Sequence, residues 1–318
     1  MSLRQLGFID LPAHVKDGGF DHAAVHTATG RVYVAHTAND AIDVIDLEAR
    51  KHVASIPGLM AVAGALAADS PDLVFTSNRG ENTVGIFTPA NERVLEKIDV
   101  GIRPNGLAYD PGRGRLLVAH VGHPGIPDSF TVSVVDVRLR TRIADFPVAG
   151  RTRWTVFDPG ADVFHVNIAD PPQIVVVSAA DPIGIRRVVS VPHGGPHGLD
   201  IDVERRRLFC ACDAGVLVEV DADTGAMGAA ATIAGVPDVV FFNPAFGRIY
   251  VAIGEPGVIE VFDTDVTARG RHMNAPLRRL ETVITEAGAH TLAFDAARNI
   301  VCAFLPGSHR AAVYVDRG

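Results

Sequence analysis

Along this chain, apolar and polar residues alternate in short runs, the period that turns one face of an extended strand inward and the other outward. Ala41-Ile42-Asp43-Val44-Ile45-Asp46 and Thr131-Val132-Ser133-Val134-Val135-Asp136 are two such runs. No long segment carries the 3.6-residue period of an amphipathic helix. The runs also come in a fixed order. An apolar first strand ends near an acidic or turn residue, and a short turn with Gly or Arg follows. A β-rich second strand comes next, then a third strand of β-branched, partly alternating residues. A more polar fourth strand, such as His52-Val53-Ala54-Ser55-Ile56, closes most units.

This unit recurs seven times at intervals of roughly 40–50 residues, the length of a propeller blade. The second strands end Tyr33-Val34-Ala35-His36, Phe75-Thr76-Ser77-Asn78, Leu117-Val118-Ala119-His120 and Phe164-His165-Val166-Asn167. They continue with Phe209-Cys210-Ala211-Cys212, Tyr250-Val251-Ala252-Ile253 and Val301-Cys302-Ala303-Phe304. The expected fold is all-β: a seven-bladed β-propeller with four antiparallel strands per blade, occupying 1–318 as a single domain. The seventh unit runs out after its third strand, at Ala312-Val313-Tyr314-Val315. The N-terminal stretch 5–11 is expected to supply the missing outer strand, closing the ring and covering exposed sheet edges. The longest departures from the repeat, 122–130 and 264–276, read as loops.

Composition narrows the partners. With 47% hydrophobic and 21% charged residues, the chain is core-forming rather than disordered. A net charge of -8 and the lack of a Lys/Arg block argue against nucleic acid or an anionic membrane as partner. No run approaches the roughly 18 apolar residues of a membrane span. Three cysteines, with Cys210 and Cys212 on one strand, argue against a disulfide framework and suit a reducing compartment. Met1–Gln5 lacks the apolar run of a signal peptide, so a cytoplasmic location is expected, with export left open should a leader have been removed.

The strand endings resemble the Tyr-Val-Thr-Asn motif of the YVTN-repeat propellers, a group that includes YncE-like and lactonase-like proteins. Tyr33-Val34-Ala35-His36, Phe75-Thr76-Ser77-Asn78 and Leu117-Val118-Ala119-His120 stand in for the motif, and Pro104-Asn105-Gly106-Leu107-Ala108 resembles the entry to the inner strand. The resemblance runs the whole length of the chain and implies the propeller fold. It implies no single activity, since the group holds enzymes and ligand binders alike. No repeat spells the motif in full, and in five units His, Cys, Ile or Phe replaces its final Asn.

Aligning the units on the first strand brings out a polar column. The residue just before that strand is His22, Gly64, Asn105, Arg153, His197, Asp238 and His290 in turn. The residues that follow are mostly small or apolar: Ala23, Ala65, Gly106, Trp154, Gly198, Val239 and Thr291. Inner strands surround the propeller axis, so the column forms a ring at one mouth of the central channel. Asp21 is able to reach the same layer. The second strands return to this mouth, bringing His36, Asn78, His120, Asn167 and Cys212, and the loops after them bring Arg79, His123, Asp170, Asp213, Glu255 and His309.

Imidazoles and a carboxylate suit a transition metal. His22, His197, Asp238 and His290 are therefore the expected ligands of a divalent metal, zinc or iron before calcium. An oxygen-only set of Asp21, Asn105 and Asp238 would resemble the calcium site of gluconolactonase-type propellers, which is less rich in His. A metal-free polar pocket and a water-filled channel are the competing readings. Arg153 suits a carboxylate or phosphate, or else stacks on Trp154. Cys212 reads as a buried small residue before it reads as a nucleophile, and His193-Gly194-Gly195-Pro196 as a plain turn. The function expected is a metal-dependent hydrolase or lyase acting on a small molecule at the axial mouth. In it His36 and His120 serve as acid–base groups and Arg153 orients an anionic substrate. The alternative is a non-catalytic binding or scaffold propeller.

Overall fold

The computed structural model describes residues 2–264 and 276–318. The expected loop 264–276 falls, apart from its two end residues, outside the described residues. Among these residues 28 strands form seven four-stranded antiparallel sheets, arranged as the blades of a propeller. Blade one shows the pattern: Phe20–His26 lies innermost, followed outward by Arg31–His36, Ala41–Asp46 and Lys51–Pro57. Blade seven consists of Thr291–Asp295, Ile300–Leu305 and Arg310–Asp316, and its fourth strand is the N-terminal Leu3–Asp10. That strand pairs antiparallel with Arg310–Asp316, so the ring closes as expected, two residues earlier than 5–11 at its start. The expected loop 122–130 joins the second and third strands of blade three.

Turn chemistry explains the regularity. In five blades the first strand ends on Asp or Asn whose side chain accepts a hydrogen bond from the turn backbone. Asp110 takes the Gly112 N–H at 2.9 Å, Asp158 that of Gly160 at 2.9 Å and Asn243 that of Ala245 at 3.0 Å. Short Asx side chains close a turn in this way without distorting the strand before it. The last residue of that turn is left-handed in six blades, for example Gly30 (φ 66°), Gly114 (φ 67°) and Asn299 (φ 53°). Gly and Asn reach that region at low cost.

No single core fills the disc. Instead, each pair of neighbouring blades encloses its own apolar layer. Between blades one and two lie Tyr33, Ile42, Val44, Val62, Val74 and Phe87. Between blades six and seven lie Val239, Tyr250, Val261, Leu292 and Tyr314. Inner strands are therefore buried on the faces toward adjacent blades, and only their axis-facing positions are free to line a channel. No helix among the described residues is long and apolar enough to cross a membrane.

Candidate functional site at the axial mouth

Strand register decides which residues reach the axis. Equivalent inner-strand positions are Ala23, Ala65, Leu107, Thr155, Leu199, Val240 and Leu292, which pair with Val34, Thr76, Val118, Val166, Cys210, Val251 and Ala303. Two residues earlier stand Asp21, Ala63, Asn105, Arg153, His197, Asp238 and His290. The polar column is thus corrected by one residue in blades one and two, where Asp21 and Ala63 replace His22 and Gly64. A bulge enters the inner strand at the same place in six blades, so it does not set blades one and two apart. It precedes Ala23 and Ala65 as it precedes Leu107, Thr155, Leu199 and Val240, and it is the second-strand partners that make Asp21 and Ala63 the equivalents of Asn105.

The ring is joined by polar contacts. Asp238 lies between two histidines, its Oδ1 3.1 Å from His197 Nε2 and its Oδ2 3.6 Å from His290 Nε2. Asp213, on the loop after the second strand of blade five, lies 2.7 Å from His197 Nδ1 and accepts from Arg153 Nη2 at 3.1 Å. Arg153 Nη1 is 3.1 Å from His197 Nε2. Blade two offers only Ala63 at this level, and Arg79 from its next loop supplies the polar group. Arg79 pairs with Asp21 Oδ2 at 3.1 Å and donates to the Asn105 side-chain oxygen. Asn167 fixes the backbone of the ring by donating to the His197 carbonyl at 2.9 Å.

One layer deeper lie His22, Gly64, Gly106, Trp154, Gly198, Val239 and Thr291. Three of these are glycines for a steric reason. A Cβ on Gly106 would sit 2.5 Å from the Arg153 carbonyl oxygen, and one on Gly198 would sit 2.5 Å from that of Asp238. The glycines let neighbouring inner strands close up, which sets the spacing of the ring above. His22 and Trp154 come from blades on opposite sides of the axis, and their rings meet at 4.2 Å. They form the floor of the mouth.

Charge in the mouth is ordered. Burial disfavours the His197 imidazolium, but Asp238 and the Asp213 hydrogen bond outweigh it, and the pKa rises to about 9. Burial likewise opposes the Asp238 carboxylate, and the His197 charge overrides it, holding that pKa far below the usual range. His22 is held below its ordinary value by burial and stays neutral. The Arg151 guanidinium is pushed down by burial and then by Arg153, Arg79 and Arg103. Four arginines thus share this mouth, in a chain of net charge -8. Arg103 and Arg151 form no ion pair with the described residues.

The candidate metal set does not assemble as a ligand set. His197 and His290 both address Asp238, while His22 lies in the layer below, 3.4 Å from Asp21 through Nε2 and packed on Trp154. Among the described residues no group of three or more His, Cys, Asp or Glu is placed to hold a metal ion. The chemistry of the donors agrees. Both ring nitrogens of His197 are engaged by protein carboxylates, Nδ1 by Asp213 and Nε2 by Asp238.

The expected acid–base residues divide. Arg153 is in the ring. His36 is fully buried, its Nδ1 bound to Asp43 at 2.7 Å, and Asp43 also holds Ser55 at 2.5 Å. His120 is fully buried as well. Its Nδ1 faces Thr131 at 2.8 Å, its Nε2 accepts from the Gly101 N–H at 3.2 Å, and burial drives its pKa down to about 3. Both are interior hydrogen-bonded residues of their blades, because the end of the second strand turns its side chain between blades and not toward the axis. Cys212 is fully buried, its sulfur 3.9 Å from that of Cys210. Arg103 and Arg151 escaped the sequence reading, although each directly precedes an inner strand.

Fold and site together define a seven-bladed β-propeller with a cationic, histidine-bearing axial mouth. Two solved structures are similar to it. A chain of the mitotic checkpoint complex superposes with a TM-score of 0.80 at 11% identity, covering 99% of this chain and 92% of that chain. Hydrazine synthase from Kuenenia stuttgartiensis superposes with a TM-score of 0.81 at 11% identity, covering 96% and 98%. At such identity the likeness concerns the fold alone. No family model matches the chain, and no curated protein does.

Proposed function

We propose that the axial mouth binds a small anionic molecule carrying a carboxylate or phosphate. The observation that carries this reading is the convergence of Arg79, Arg103, Arg151 and Arg153, where Arg103 and Arg151 form no ion pair with a described residue and Asp213 only partly offsets the charge around Arg151. Arg79 and Arg153 are partly buried while Arg103 and Arg151 are exposed at the rim; like charges gathered in this way favour a shared anion, and guanidinium forks suit planar or tetrahedral oxyanions. Arg151, pushed down by burial and then by its arginine neighbours, is where bound negative charge would relieve the most repulsion.

The hydrolase or lyase reading enters here without a metal. His197, as an imidazolium, would give a proton to a leaving group, while Arg79 and Arg153 would hold a developing oxyanion. The binding-only reading shares the same ligand class. The two similar structures, one from the mitotic checkpoint complex and one hydrazine synthase, do not choose between them. The YVTN-like strand endings are equally consistent with either.

Calorimetric titration with inorganic phosphate and with citrate tests the proposal. Saturable binding that weakens with added salt is expected, and Arg153→Gln should reduce it by about tenfold or more, the size of a lost charge-assisted hydrogen bond. Absence of saturable binding at millimolar anion, or equal affinity in wild type and Arg153→Gln, would reject it. Turnover of carboxylate-bearing esters that is lost in His197→Gln, with anion binding retained, would favour the enzyme over the binder.

A further inference from the structure

Beneath the His22–Trp154 floor the channel reopens as a cavity of about 660 Å³, facing the opposite side of the disc. Its size falls within the range of about 300–1,000 Å³ typical of small-molecule sites. Inner strands of all seven blades contribute to its wall, but unequally. Blades one to three offer small residues, Ala24, Ala65, Ala67 and Ala108, while blades four, six and seven offer Trp154, Phe241 and Phe294. The free volume is therefore displaced toward the alanine side and faced by aromatic rings. Asp69 stands at the rim, at the end of the inner strand of blade two.

One charged group projects from the inner wall itself. Asp200, on the inner strand of blade five, accepts the backbone N–H of Phe242 through Oδ2 at 2.7 Å and that of Ile201 through Oδ1 at 2.8 Å. Each oxygen keeps acceptor capacity, and no arginine, lysine or histidine side chain engages the carboxylate among the described residues. No Lys or Arg lines the cavity, and His22 at its floor is neutral.

We propose that this cavity is a second ligand site, which takes a small molecule with an apolar ring or chain and a single protonated amine, the amine lying against Asp200. The aromatic wall favours an apolar body and adds cation–π attraction for the head. Burial pushes the Asp200 carboxyl up to about 6, so at neutral pH it is an anion held at a desolvation cost that a cationic head would relieve. The two ends of one channel thereby select opposite charges, the arginine mouth an anion and the aromatic cavity a cation. The proposal does not depend on the anion reading of the mouth.

The chain has one tryptophan, and it forms the cavity floor, so Trp154 emission reports occupancy directly. The probes are 2-phenylethylamine, 2-phenylethanol and 3-phenylpropionate, which share a ring and differ in the head. A saturable change in emission is expected for the amine at pH 7.5, with affinity at least tenfold above that of the alcohol and no response to the acid. Asp200→Asn should bring the amine down to the alcohol, and Ala67→Phe, which fills the cavity, should abolish both while leaving phosphate binding at the mouth unchanged. Equal affinity for amine and alcohol in the wild type, or no response to any probe, would overturn the proposal. So would an amine response that survives Ala67→Phe but is lost in Arg153→Gln, since the probe would then lie at the mouth.

Discussion

His197 offers the most quantitative access to the mouth. Its side chain is 14% exposed and lies between Asp213 and Asp238. Folding raises its pKa from the ordinary 6.5 to about 9. That difference is worth about 3 kcal/mol at about 1.4 kcal/mol per pH unit. Because the folded-state value is the higher, the folded chain holds the proton more tightly. The stabilisation is fully present below pH 6.5, declines as pH rises between 6.5 and 9, and is gone above about 9. His197→Gln removes the titration while keeping a side chain able to hydrogen-bond. Urea unfolding of both proteins from pH 6 to pH 9.5 is the assay. The wild type should be the more stable at pH 6, and the gap should shrink by about 3 kcal/mol by pH 9.5, other titrating groups cancelling in the difference. A gap that is flat with pH, or one that grows with pH, would refute the picture of an imidazolium shared by two carboxylates. An imidazole resonance of His197 titrating near 6.5 would do the same.

Two further outcomes follow from the geometry. Gly106→Ala places a methyl group 2.5 Å from the Arg153 carbonyl oxygen, so it should destabilise the fold by about 1–3 kcal/mol, as overpacking does, and weaken phosphate binding by moving Arg153; chemical denaturation and calorimetry read the two effects. Elemental analysis of protein purified without a His tag should find no stoichiometric divalent metal, and a chelator should leave the melting temperature unchanged. A stoichiometric ion lost in His197→Ala and in His290→Ala would instead restore the metal-ligand reading of the ring.

The sequence by itself determined the architecture. Alternating runs, Asx-closed turns and a seven-fold order of strands define a propeller, because each rests on local chemistry that repeats in every blade. The incomplete seventh unit even announced its partner, since an open sheet edge needs a strand and only the N-terminus had one to spare. Arg153, His197, Asp238 and His290 were likewise legible, as polar residues at equivalent positions in otherwise apolar strands.

Tertiary structure alone decided the rest. Strand pairing puts Asp21 in place of His22 in the ring, and a pattern of period two does not record a one-residue slip. His36 and His120 carry the residue type of an acid–base group, yet the twist of the second strand points them between blades, where Asp43 and Thr131 hold them. Arg79 and Asp213 enter the mouth from loops, and Arg103 and Arg151 matter only because closure of the ring brings blades two, three and four to one point. Asp200 looked like one more polar residue of an inner strand. Its meaning comes from the seven strands around it, which direct it into a largely apolar cavity and place no cationic side chain against it. Sequence periodicity records which face a residue takes on its own strand; what lies across the axis is fixed only when the ring closes.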